Sequence, residues 1–212
     1  MSYQKYVVSG FYLQRFARNV SAAKQIDVAF LVDSSPEFGS LNVENAKQFL
    51  EQYVSTLYIG ADYIRVALVE YFSNAMVRLF LSTGVSKPAV IGTIKSLGVL
   101  RPGPGNLAHA LKITREHIFN KNGARPGVPK VAVLVTSGQV PEEQTKTVKA
   151  EVAMLQALAV VLPVFTIGHL RTNSTLLAEI SYPHRVVDVS AQRDVIATIN
   201  EVNMHLVKGE RL

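Results

Sequence analysis

Four short segments hold the side chains best suited to bind or react: Asp33-Ser34-Ser35-Pro36-Glu37, Gly103-Pro104-Gly105-Asn106, Thr136-Ser137-Gly138 and Gly168-His169. They combine carboxylates, hydroxyls, one imidazole and glycine turns, which suits ligand contact or the capping of helices and turns. Other chemistries are poorly provided for. There is no cysteine, which removes thiolate metal sites, disulfides and thiol nucleophiles. The five histidines (His109, His117, His169, His184 and His205) contain no i, i+4 pair of the kind that binds zinc on a helix. His169 alone is expected on a ligand face, and a lone histidine there reads as a hydrogen-bonded loop residue. No G-x-S-x-G nucleophile turn and no G-x-x-x-x-G-K-[ST] phosphate loop occurs. The run from Gly103 to Ala108 does fit G-x-G-x-x-A ahead of a helix, the shape that receives a pyrophosphate. Its glycines do not directly follow a buried strand, Pro104 stiffens the turn, and no acid near the end of 131–135 is placed to hold a ribose. A structural turn is the favoured reading, and a nucleotide-binding enzyme the remote one.

The elements that must position these loops follow from hydrophobic periodicity. Residues 26–32 form an apolar run ending at Asp33, as expected for a strand buried on both faces. Residues 41–57 place Val43, Ala46, Phe49, Leu50, Tyr53, Val54 and Leu57 at helical spacing. Residues 63–71 and 75–81 suggest an antiparallel hairpin. Helices are expected after Pro88 to about 97, from 106 to about 120, at 147–158, from Asn173, and at 191–207. Further strands are expected at 131–135, 160–167 and 186–189. Strands alternating with helices imply an α/β fold whose parallel sheet is covered on both faces. In such sheets ligands bind beyond the carboxyl ends of the strands, where the four segments fall.

Composition narrows the function classes. The chain has 212 residues, 48% hydrophobic and 18% charged, a balance that excludes intrinsic disorder. No stretch approaches the about 18 uninterrupted apolar residues that cross a bilayer. The net charge is +6, but Lys5, Arg15, Arg18 and Lys24 precede the first acid, Asp27, leaving +2 for the remainder. A nucleic-acid binder concentrates its charge on a groove or helix; here the excess sits in one arm, and no nucleic-acid partner is expected. The expected organisation is a basic arm or inter-domain linker at 1–25, one domain at 26–208, and a short tail at 209–212.

Several motifs occur together in a fixed order: IDVAFLVDSS, then IGADYIRVALVEYFSNAMVRLFL, NLAHAL, VPKVAVLVTSGQ and LPVFTIG. Over about residues 25–207 the chain resembles a von Willebrand factor type A domain, and ARPGVPKVAVLVTSGQ is particularly similar to the A domains of collagen VI chains. The resemblance implies a Rossmann-like doubly wound sheet, mostly parallel with one antiparallel edge strand, in a secreted adhesion or extracellular matrix protein. It also implies a metal-ion-dependent adhesion site for Mg²⁺ or Mn²⁺. That site uses an Asp-x-Ser-x-Ser loop, a threonine ahead of a helix and an aspartate after the next buried strand. Asp33 and Ser35 match; Glu37 replaces the second serine, Gly105 the threonine and Ser137 the aspartate. Two of five ligands survive, too few for the octahedral oxygen shell Mg²⁺ requires.

The expected function is therefore a non-enzymatic protein–protein interaction module with no metal cofactor. The alternative is a metal-dependent module using Asp33, Ser35 and a substitute Glu37. Partners are expected among extracellular matrix or neighbouring A-domain proteins, met through Asp33, Ser35, Glu37, Gly105, Asn106, Ser137 and His169. Sulfated glycosaminoglycan is a further candidate through the basic arm. The sequons at Asn19 and Asn173 are candidate glycan sites in a secreted protein.

Overall fold

The computed structural model describes residues 25–98, 102–168, 174–181 and 186–189. Residues 1–24 of the basic arm expected at 1–25, with Asn19, residues His169 and Asn173, and the expected helix at 191–207 lie outside the described residues. Strand β1 (Ile26–Asp33) leads through helix α1 (Ser40–Thr56) to β2 (Ile64–Tyr71) and the hairpin strand β3 (Ala75–Leu79). Helices α2 (Lys87–Lys95) and α3 (Leu107–Ile113) follow, then β4 (Lys130–Thr136), α4 (Thr145–Ala157), the short strands β5 (Val160–Val161) and β6 (Val164–Thr166), α5 (Ser174–Ile180) and β7 (Val186–Asp188). The sheet order is β3-β2-β1-β4-β6-β7, with β5 pairing on β4. Among the described residues only β2 and β3 pair antiparallel; the other pairs are parallel.

All eight residues of β1 are buried, as the apolar run predicts. Alternation along the strand sends Val28, Phe30 and Val32 towards the α1 and α2 layer, and Ala29 and Leu31 towards α3, α4 and α5. Phe30, Phe49, Tyr53 and Phe165 interlock in the first layer, with ring centroids 4.9 to 6.0 Å apart. Gly84 lies where two backbones nearly touch. A β-carbon there would fall 1.7 Å from the Val66 carbonyl oxygen, and the Val66 amide donates to the Gly84 carbonyl at 2.9 Å.

At the amino ends of the strands Arg125 closes a latch. Its backbone N–H and Nε donate to the two carboxylate oxygens of the fully buried Asp27, at 2.8 and 2.9 Å. Its Nη2 donates to the carbonyls of Ile26 and Tyr63 at 3.0 and 2.8 Å. A charge pair this deep is tolerated because nearly every polar atom finds a partner.

Two elements differ from the sequence expectation. The strand expected over 160–167 is split around Pro163, which has no N–H to donate; its carbonyl accepts from Leu134 at 3.0 Å. The helix expected over 106–120 is α-helical only to Ile113 and continues as a π-helical turn, Thr114–Phe119. There the Thr114 hydroxyl bonds back to the Ala110 carbonyl at 2.8 Å, a contact that bends helices.

Candidate functional site

Strand order reverses between β1 and β4, because β1 runs on to β2 on one side while β4 lies on its other side. Beyond their carboxyl ends is the crevice where this architecture binds ligands. The register pairs Val32 with Val135 and Asp33 with Tyr71, so Asp33, Tyr71 and Thr136 end three adjacent strands together.

Asp33 is 1% exposed. Its Oδ1 accepts the Ser35 amide at 2.9 Å, an Asx turn that starts the loop into α1. The Ser34 amide and hydroxyl both donate to the Tyr71 carbonyl, at 2.8 and 3.2 Å. Gly39, at φ +81°, then supplies the left-handed residue that turns the chain into α1. The Tyr71 hydroxyl donates to the Asp33 carboxylate and accepts from the Thr136 side chain, while Ser35 adds a side-chain hydrogen bond to the same carboxylate. Burial pushes the Asp33 carboxyl up to about 6, against the pull of these donors and with a small push from Glu37. Burial and the neighbouring Asp33 also raise the Tyr71 phenol well above its ordinary value, so Tyr71 remains a neutral donor.

The other segments close around this group. A β-carbon on Gly105 would stand 3.4 Å from Ser35 Oγ, 3.6 Å from the Tyr71 ring and 3.7 Å from Asp33 Oδ1. The Gly105 carbonyl accepts from Gln144 Nε2 at 3.0 Å. Asn106 caps α3, its Oδ1 accepting the His109 amide at 3.0 Å. Ser137 is buried, and its hydroxyl accepts the Gln139 amide at 3.3 Å; Thr136 accepts the Gly138 amide at 3.1 Å. Glu37 is exposed and, with Pro104, Gly105, Gln139, Val140 and Pro141, lines a cavity of about 220 Å³.

The structure thus gathers Asp33, Ser35 and Gly105 at one point, sets Glu37 at the rim, and uses Asn106 and Ser137 in local caps and turns. Sequence reasoning missed Tyr71 and Gln144. A tyrosine closing a buried strand was the available signal, since its hydroxyl needs a partner when the ring is buried.

The model of the von Willebrand factor type A domain matches residues 27–202. The chain belongs to the von Willebrand factor type A domain family. It is 33% identical over 135 residues to the collagen alpha-4(VI) chain of Mus musculus, covering 62% of this chain. It is 32% identical over 169 residues to the collagen alpha-6(VI) chain of Homo sapiens, covering 78% of this chain. It spans 6% and 7% of the length of those two extracellular matrix proteins. Among solved structures, proximal thread matrix protein 1 from the mussel byssus, with a zinc-occupied adhesion motif, superposes with a TM-score of 0.74. At 22% identity over 87% of this chain and 47% of the mussel chain, that likeness shows the fold. Among the described residues no helix is long and apolar enough to cross a membrane, and no three acidic or histidine side chains converge to hold a metal.

Proposed function

We propose that this type A domain is a non-enzymatic interaction module of a secreted extracellular matrix protein, and that it meets its partners without a bridging cation. The domain spans 26–208, with 1–25 as a basic linker open to anionic glycosaminoglycan and 209–212 as a tail. Partners are other matrix proteins or sister A domains, met on the surface formed by the loops around Asp33.

The observation that carries this reading is the oxygen set at the crevice. A divalent ion of the Mg²⁺ class wants about six hard oxygens and commonly one or two carboxylates. Here one buried carboxylate already accepts from Ser35 and Tyr71, Gly105 brings no side-chain oxygen, and the Ser137 hydroxyl is engaged with Gln139. These donors do not fit the ion. The test is binding of the purified domain to immobilised matrix proteins, with EDTA and with Mn²⁺. Equal binding in both supports the reading; loss in EDTA overturns it.

One observation favours a second reading. Asp33 keeps a buried carboxyl at a cost in solvation, and the mussel protein carries zinc at its adhesion motif. A reduced site of Asp33, Ser35 and Glu37 would take up Mn²⁺ in a calorimetric titration and lose that heat in Asp33→Ala.

A further inference from the structure

The cavity beside Asp33 has its own chemistry. Pro104, Val140 and Pro141 make rigid, apolar walls, and the single ionisable group in the lining is the exposed Glu37 carboxylate. At about 220 Å³ it is smaller than the roughly 300–1,000 Å³ pockets that enclose whole small-molecule ligands. One long side chain fits it better.

Its charge setting selects which side chain. The described residues of the crest loops (34–39, 72–74, 102–106 and 137–144) carry three charged groups, Glu37, Glu142 and Glu143, all acidic. The cations nearest to these segments in sequence are Arg101, outside the described residues, and Lys146 on the first turn of α4. Asp33 adds further negative charge whenever it ionises. A partner carboxylate arriving here would meet like charge. An arginine or lysine matches both features, its aliphatic stem lying on the proline and valine walls and its head reaching Glu37.

We propose that this cavity receives an arginine or lysine side chain of the protein partner. The recognition is then reversed in sign: the partner supplies the cation, and the domain supplies the carboxylate. The inference rests on the crest being a metal-independent interaction surface, and it names what that surface takes.

The probe is N-acetyl-arginine N-methylamide, with its uncharged citrulline counterpart and N-acetyl-glutamate N-methylamide as comparators. Amide shifts of the isotopically labelled full chain are followed in EDTA and in Mn²⁺. The expected result is saturable arginine shifts at Gly105, Gln139 and Val140, absent with citrulline. In Glu37→Gln the arginine affinity falls roughly two- to fivefold, as for loss of an exposed ion pair. Because Glu37 is exposed, the variant keeps the wild-type melting temperature, which separates loss of binding from loss of fold. Citrulline shifting the same amides as strongly, arginine leaving them unmoved, or Glu37→Gln binding arginine undiminished overturns the proposal. Arginine silent while matrix binding still ignores EDTA sinks the cation pocket alone; glutamate binding only with Mn²⁺ sinks the metal-independent reading as well.

Discussion

Asp33→Asn removes a charge while nearly preserving shape, and its effect can be worked from the site. Burial raises the Asp33 carboxyl from 3.8 to about 6 in the folded protein. Each unit is worth about 1.4 kcal/mol, so ionised Asp33 costs the fold about 3 kcal/mol at neutral pH. The sign follows from proton counting. Between pH 4 and 6 the folded state retains a proton that the unfolded chain has released, so stability falls as pH rises through that window. Above the window the whole cost is present; below it, in the protonated form, the cost vanishes. Asparagine keeps an oxygen to accept the Ser35 amide and never ionises. Urea unfolding of both proteins in EDTA, at pH 4 and at pH 7.5, makes the comparison, and every other titrating group cancels in the difference. The variant's advantage should grow by about 2–3 kcal/mol between the two pH values. Parallel pH profiles, or an advantage that shrinks towards pH 7.5, would refute the argument that Asp33 is held without a compensating cation.

Three further outcomes are expected. Combining Gly105→Thr with Ser137→Asp should create saturable Mn²⁺ binding in calorimetry, since a β-carbon at 105 meets only ordinary contacts; adding Asp33→Ala should abolish it, and a silent double variant would show that more than these groups is missing. Arg125→Met strands the buried Asp27 carboxylate, and should cost about 3–5 kcal/mol in chemical unfolding; a loss under about 1 kcal/mol would mean the latch is dispensable. Gly84→Ala drives a methyl into the Val66 carbonyl, so soluble yield and far-ultraviolet circular dichroism should both collapse, whereas a normally folded variant would show that the two backbones can part.

Most of the architecture was legible because it is periodic. Residues buried on both faces of β1 read as one apolar run, and α1 declares itself by its three- and four-residue spacing. The exceptions were local: Pro163 interrupts what hydrophobicity alone joins, and the Thr114 hydroxyl marks where an amphipathic helix changes its winding. At the site, the loop sequences named Asp33, Ser35 and Gly105, which the structure brings together. They could not show that Tyr71 ties Asp33 to Thr136, because that contact depends on the register of strands far apart in the chain. Nor could they show the cavity, whose walls come from three separate loops and whose apolar members, Pro104, Val140 and Pro141, carry no chemical signature of their own.

The placement of β1 has a mechanical consequence. The chain enters at Gln25, at the end of the sheet opposite the crest, and β1 is bonded to β2 along its whole length and to β4 along most of it. A tug on the entering chain, resisted by a partner gripping the crest, runs parallel to β1. Such a load shears all the rungs on both sides together instead of peeling them one at a time, and the Arg125 latch stands at the point where that load arrives. The domain is thereby braced along the direction of β1.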